Sequence, residues 1–138
     1  MRIAQELLDE IVDHVLEDPD NEICGVVAVR DDGDGPRAVG VHRARNLHAS
    51  PLRFEIEPKE LLELYDSIEA RGGELGAIYH SHVRSAPYPS QTDINFAAGW
   101  PGVEWIIVGL SDASDPEVRS YLIDGADVSE QPLRTGTS

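Results

Sequence analysis

Two histidines separated by one residue, His80 and His82, are the pair in this sequence best spaced for chemistry. They end the apolar run ELGAIYHSH, a pattern typical of a β-strand. Because residues i and i+2 of a strand point to the same face, the two imidazoles can lie side by side and bind one metal ion. Taken alone, the pair leaves two interpretations open: metal ligands, or partly exposed strand-end histidines that bind nothing.

A serine and an aspartate follow the histidines, as Ser90 and Asp93 in the segment PSQTD. Ser-x-x-Asp is a variant of the capping box, so it predicts the start of a helix. An acid in the first helical turn is held ionised by the helix dipole, and Asp93 could project back to the strand end as a third ligand. Two imidazoles and a carboxylate with an open fourth position are the ligand set of catalytic zinc sites. Non-haem Fe(II) oxygenases use the same set.

A metal-dependent hydrolase also needs a base, and Glu22 in NEICGVV is the best-placed candidate. It precedes an apolar run that follows the first helical segment. The alternative is a solvated acid within the acid-rich stretch EDPDNE. Cys24, the single cysteine, excludes an internal disulfide and a multi-cysteine zinc site, and it is expected to be a buried core thiol. Any metal site must therefore use histidines and carboxylates.

The elements that would position these residues follow from hydrophobic periodicity and turn signals. Helical spacing starts at Ile3 and stops before Pro19, a second helix begins at Pro58 and ends at Gly72-Gly73, and SQTDINFAA is a short third helix. The predicted order α, β, β, β, α, β, α, β, β, β indicates an α/β protein with one mixed sheet and three helices packed on it. The predicted strands are EICGVVAVR and RAVGVHRARN, expected to form a hairpin, then LRFEI, ELGAIYHSH, VEWIIVGL, EVRSYLI and residues 126–132.

Composition sets the remaining limits. A chain of 138 residues fits a single domain, 1–138, and 26 acidic against 11 basic residues give a net charge of −15. Phosphate groups would be repelled, so neither a nucleic acid nor an anionic membrane is an expected partner. No apolar stretch approaches the roughly 20 residues of a transmembrane helix, and the acid-containing N-terminus does not look like a signal peptide. A cytoplasmic location is the expectation.

Together, the candidate residues match one complete motif. Glu22, then His80-Ser81-His82, seven residues, Ser90, two residues and Asp93 reproduce the pattern E…H-[ST]-H-x7-S-x2-D. The sequence thereby resembles the JAMM (MPN+) zinc metallopeptidases, and the resemblance extends over nearly the whole chain. The segment APYPSQTD is similar to the corresponding segment of the short actinobacterial members, which release cysteine from a ubiquitin-like sulfur-carrier protein.

This resemblance implies a cytidine deaminase-like three-layer fold and a role for each motif residue. His80, His82 and Asp93 would hold one Zn²⁺ ion, with water as a fourth ligand. Glu22 would act as the general base on that water and then pass its proton to the leaving amine. Ser90 would donate a hydrogen bond to the carbonyl oxygen of the substrate, a role expected to compete with its role as a helix cap.

The implied reaction is hydrolysis of an amide or isopeptide bond at the C-terminus of a ubiquitin-like or sulfur-carrier protein. The narrower expectation is release of cysteine from a carrier–cysteine adduct, as part of cysteine biosynthesis. No substrate-binding residue is assigned, although the loops VRSAPYP and RNLHASPLRF are where specificity would lie. A homo-oligomer is left open. Two other functions are alternatives: a catalytically inactive interaction module of the same fold, and a non-haem Fe(II) enzyme with the same two histidines and aspartate.

Overall fold

The structure, a computed structural model, describes residues 1–135. Within this range there are three helices and six strands, and the strands form one mixed sheet. The elements are α1 (Gln5–Leu16), β1 (Cys24–Asp31), β2 (Pro36–Ala44), α2 (Pro58–Ala70), β3 (Glu74–His82), α3 (Gln91–Ala97), β4 (Glu104–Gly109), β5 (Glu117–Asp124) and β6 (Asp127–Gln131). The strand order is β2-β1-β3-β4-β5-β6, in which only β3 and β4 are parallel neighbours. Among the described residues no helix has the length and apolar character required to cross a membrane.

Both faces of the sheet are covered by hydrophobic residues. Neighbouring residues of a strand point to opposite faces, so adjacent apolar residues of one strand pack into different clusters. On β1, Val26 packs into the cluster that includes Leu61 of α2 and Ala97 of α3. Val27 packs into the cluster on the other face, which includes Ile11 of α1. The sheet is therefore the middle of three layers, with α1 on one side and α2 and α3 on the other. The predicted α/β class, mixed sheet and three helices are confirmed.

One predicted strand is wrong. The segment LRFEI, residues 52–56, is irregular and joins no sheet. Its alternation is real, since Phe54 and Ile56 are buried. However, the backbone N–H of Glu55 donates to the side-chain oxygen of Asn46 at 3.1 Å instead of to a neighbouring strand. A side-chain amide thus replaces the strand ladder in this part of the chain.

The sheet brings the two ends of the candidate site together. β1 begins where β3 ends, because these strands are antiparallel and Cys24 lies opposite His80. The loop after β3 then packs over Gly109 at the end of β4, where an added Cβ would lie 2.9 Å from Pro87. The hydroxyl of Tyr121 donates to the carbonyl oxygen of Pro87 at 2.6 Å and fixes the same loop. The start of α3 is thereby held beside the end of β3.

Candidate metal centre

Three of the predicted ligands lie in one buried cluster. The Nε2 atoms of His80 and His82 are 3.1 Å apart, and the carboxylate oxygen Oδ2 of Asp93 lies 3.1 Å from the first and 3.2 Å from the second. His80 is fully buried, and His82 and Asp93 are nearly so. The structure therefore places together two residues from the end of β3 and one from the first turn of α3.

The spacing of these three atoms fits a metal ion. An ion with bonds of about 2.0–2.1 Å separates its ligand atoms by about 3.3–3.4 Å in tetrahedral geometry and by about 2.9 Å when they occupy one octahedral face. The observed 3.1–3.2 Å lies between these values. Two imidazoles and a carboxylate suit zinc and iron alike, so the cluster could hold either metal and its geometry does not select between them.

The ring of His82 is oriented by the loop that follows it. Its Nδ1–H donates to the carbonyl oxygen of Ala86 at 2.9 Å. This bond fixes the proton on Nδ1, so the lone pair of Nε2 points into the cluster, as metal-binding histidines require. His80 is held by packing instead: its ring stacks on Phe54 with centroids 4.4 Å apart, and its Nδ1 has no hydrogen-bond partner within residues 1–135.

The predicted capping box at the start of α3 is present and also positions Asp93. The Oγ of Ser90 accepts a hydrogen bond from the Asp93 N–H at 3.1 Å, and the Ser90 N–H donates to Oδ2 of Asp93 at 2.9 Å. Burial opposes ionisation of this carboxyl, but the charge of His80, the hydrogen bonds from both histidines and that from Ser90 outweigh it. The pKa of Asp93 is therefore below its ordinary value, and the carboxylate is the form that a metal binds.

The hydrogen bond from the Asp93 N–H to the Ser90 oxygen bears on the expectation that helix capping and catalysis compete for Ser90. Its oxygen accepts the Asp93 N–H through a lone pair, which leaves the hydroxyl proton able to donate elsewhere. Ser90 is exposed, so a substrate can reach this proton. The two roles are compatible, although the catalytic role stays a prediction.

Burial and charge affect the two histidines differently. Desolvation lowers the pKa of His80 and outweighs the charge of Asp93 and the hydrogen bond to it, which act in the opposite direction. Desolvation acts on His82 in the same direction, but hydrogen bonds to Asp93 and to the Ala86 carbonyl outweigh it and raise the pKa of His82. Protons and a metal ion therefore compete for Nε2 of His82.

Glu22 completes the cluster from the start of β1. One of its carboxylate oxygens forms a group with ring nitrogens of His80 and His82 in which all atoms lie within 4.8 Å of one another. The side chain is buried, and desolvation raises its pKa to about 8, against a smaller lowering effect of His82 and a raising effect of Asp93. A buried carboxyl that titrates near neutral pH suits an acid–base role. Glu22 is therefore part of the site, not a solvated acid.

The backbone of Glu22 is fixed by the loop between β2 and α2. Its N–H donates to the carbonyl oxygen of Ser50 at 2.8 Å, and its own carbonyl oxygen accepts from the Asn46 amide at 3.0 Å. Phe54 and the Ala86 carbonyl, which orient the two histidines, were not predicted from the sequence. Cys24 is buried as expected, and desolvation raises the pKa of its thiol to about 12, which disfavours the reactive thiolate form.

The whole arrangement defines a class of protein: an α/β domain with a buried two-histidine, one-aspartate cluster and an adjoining glutamate. The sequence model of the family described as prokaryotic homologues of the JAB domain matches residues 4–124. The chain belongs to this family.

Relatives with assigned activities include a desampylase and a CysO-cysteine peptidase. The chain is 35% identical over 112 residues to the desampylase of Haloferax volcanii, covering 78% of this chain and 78% of the relative. It is 32% identical over 133 residues to the CysO-cysteine peptidase of Mycobacterium tuberculosis, covering 95% of this chain and 88% of the relative. These similarities support a hydrolase.

Solved structures agree with the fold. The solution structure of a protein from Desulfitobacterium hafniense aligns with a TM-score of 0.84 and 27% identity over 96% of this chain and 90% of the other. The crystal structure of a JAB1/MPN domain protein from Archaeoglobus fulgidus aligns with a TM-score of 0.63 and 19% identity over 97% of both chains. At this lower identity the second match is evidence for the fold alone.

Proposed function

We propose that this chain is a zinc-dependent metallopeptidase that hydrolyses the amide or isopeptide bond at the C-terminus of a ubiquitin-like or sulfur-carrier protein. The narrower proposal is that it releases cysteine from a carrier–cysteine adduct. The observation that carries the first proposal is the buried cluster of His80, His82 and Asp93 with Glu22 beside it, and the narrower one is supported by the relative named as a CysO-cysteine peptidase. The relatives named for carrier and conjugate cleavage support the substrate class.

His80, His82 and Asp93 would hold the zinc ion. When bound, zinc supplies a Lewis acid that polarises a carbonyl group and lowers the pKa of water to about 7. A positive charge in this cluster also favours the carboxylate form of Glu22 and lowers its pKa from about 8. Glu22 can then take a proton from the attacking water and deliver it to the leaving nitrogen, while the Ser90 hydroxyl donates to the carbonyl oxygen.

A scaffold of the same fold would need none of these groups. Burial of Glu22 and Asp93 costs free energy that packing alone would not justify, since neutral residues of the same size could fill the space. The intact cluster therefore favours an enzyme over an inactive interaction module. The iron alternative uses the same ligands, and metal analysis separates it from zinc.

The proposed function is tested with the purified protein and a ubiquitin-like carrier whose C-terminus is joined to cysteine. We expect free cysteine to appear by mass spectrometry, at a rate that falls at least about 100-fold after chelation and returns with zinc. Elemental analysis of freshly purified protein should show one zinc per chain. Restoration by Fe(II) but not by zinc would instead support the iron enzyme, and metal-free protein that stays inactive with zinc would support the scaffold.

Ser90 provides a test that separates catalysis from helix capping. We expect Ser90→Ala to lower kcat about 100- to 1000-fold, because the donor to the carbonyl oxygen is lost. It should also destabilise the fold by about 1 kcal/mol through loss of the cap. Ser90→Thr, which keeps an oxygen acceptor and a hydroxyl donor, is the matched control in both assays. Turnover by Ser90→Ala close to that of the threonine variant would show that Ser90 is a cap only.

A further inference from the structure

The cavity beside Glu22 is a feature that the proposed mechanism leaves unexplained. It has a volume of about 240 Å³ and is lined by Glu22, Pro51, Leu52, Arg84 and Ser85. This is several times the roughly 30 Å³ share of one water molecule, and it is smaller than the pockets of about 300–1,000 Å³ that hold drug-sized ligands. The cavity has room for a single small residue beside the general base.

Among the described residues that line this cavity, Arg84 is the one cationic group. Its guanidinium makes no hydrogen bond or ion pair with any residue in the range 1–135, although acids outnumber bases in the chain. The backbone of Arg84 is fixed, because its carbonyl oxygen accepts from the Ser111 hydroxyl at 3.3 Å. Of the other nine arginines, four pair with carboxylates and five do not within residues 1–135, so Arg84 is distinguished by its place beside Glu22. An unpaired guanidinium on a fixed loop is suited to bind a carboxylate of a ligand.

Part of the cavity lining is apolar. Pro51 and Leu52 are its apolar lining residues. Leu52 has 86% of its surface exposed, more than any other large hydrophobic residue in the described part of the chain. One cavity is therefore lined by a cationic side chain, an exposed aliphatic side chain and the general base. A free amino acid has matching chemistry: a carboxylate for Arg84, a small side chain for Leu52 and an amino group near Glu22.

The position of Glu22 indicates which part of the substrate enters this cavity. In the hydrolysis the C–N bond breaks, hydroxide from water joins the carbonyl carbon of the carrier, and Glu22 gives the proton of that water to the leaving nitrogen. The leaving group must therefore lie next to Glu22. When the scissile nitrogen is the α-amino group of an amino acid, the carboxylate lies two bonds away. When it belongs to a lysine side chain, no carboxylate lies at that distance.

Resting on the proposed function, we infer that Arg84 binds the α-carboxylate of the residue being released. The substrate class is then a carrier protein joined to the α-amino group of one free amino acid. Conjugates to lysine side chains lack this carboxylate and are poorer substrates. Arg84 thereby determines specificity, while the pair of Pro51 and Leu52 contacts the side chain of the released residue.

The test compares two adducts of the same carrier, one ending in cysteine and one in cysteinamide, which replaces the carboxylate by a neutral amide. A hydrogen bond to a charged group contributes about 1.5–3 kcal/mol, so wild type should prefer the cysteine adduct by about 10- to 100-fold in kcat/KM. Arg84→Gln should reduce this preference to less than about 3-fold, and Arg84→Lys should restore part of it. Arg71→Gln, which neutralises an exposed arginine on a different cavity, is the charge-matched control and should keep the preference.

The outcomes separate this inference from the proposed function. Equal cleavage of both adducts by wild type, or a preference unchanged in Arg84→Gln, would overturn the role of Arg84 and leave the peptidase activity established. Failure of wild type to cleave either adduct would overturn the proposed function and this inference with it. Zinc content and the thermal midpoint of each variant are measured alongside, and the preference is a ratio within one variant, so partial unfolding does not alter it.

Discussion

The Glu22→Gln variant is expected to bind zinc as wild type does and to hydrolyse its substrate about 10²- to 10⁴-fold more slowly. Glutamine has nearly the same shape as glutamate but cannot accept the proton of the attacking water. The three predicted ligands are untouched by the change, since Glu22 reaches the two histidines from the segment just before β1. The loss should therefore fall on kcat, with little change in metal occupancy.

The measurements are zinc content by elemental analysis and single-turnover release of cysteine from the carrier adduct. Glu63→Gln is the matched control, because Glu63 is exposed on α2 and adjoins a different cavity. It should retain full turnover. Retained turnover in Glu22→Gln would show that another group takes the proton, and loss of zinc would show that Glu22 is a ligand.

The stability of the metal-free protein gives a second readout for Glu22. Burial raises its pKa from 4.5 to about 8, so folding favours the protonated carboxyl. The stabilisation is present below pH 4.5 and is lost as the pH rises through about 8. Glutamine does not titrate, so above this range metal-free Glu22→Gln should be at least as stable as wild type in urea unfolding. A marked destabilisation would mean that the carboxylate makes a contact that glutamine cannot replace.

The sequence carries local signals for most of the fold. Helix ends are marked by residues with strong local backbone preferences, namely Pro19, Pro58 and the Ser90 capping box. All three predicted helices are present. The first hairpin and the strands β4 and β5 are also confirmed. The strand predicted for LRFEI is wrong because alternation indicates which side chains are buried but not which partners the backbone hydrogen bonds have. In that segment Asn46 supplies the acceptor.

The sequence predicts the positions of some site residues better than those of others. Strand alternation places His80 and His82 on one face, and the helix start places Asp93 near them. Glu22 lies 58 positions before His80, and only the antiparallel register of β1 with β3 joins them. No local pattern fixes that register, so Glu22 was identified through the complete motif. The stacking of Phe54 on His80 depends on loop geometry and carries no sequence signal of its own.

The Asp93→Ala variant is expected to weaken zinc binding at least about 100-fold, because it removes one of three protein ligands and the only anionic one among them. Alanine also removes the acceptor for the Ser90 N–H, so part of any effect could come from loss of the helix cap. Asp93→Asn separates the two effects. Its amide oxygen can still accept from Ser90, but it carries no charge and is a weaker zinc ligand.

We therefore expect Asp93→Asn to keep most of the metal-free stability while losing most of the zinc affinity, and Asp93→Ala to lose both. Affinity is measured by competition with a chromophoric chelator and stability by urea unfolding of the metal-free proteins. Asp66→Ala, on the exposed face of α2, is the control for removal of an acid from a chain with a net charge of −15. Full zinc occupancy in Asp93→Ala would show that Asp93 only caps α3. Equal affinity in the asparagine variant and wild type would show that the carboxylate charge is not needed, because the two histidines alone would then account for the metal affinity.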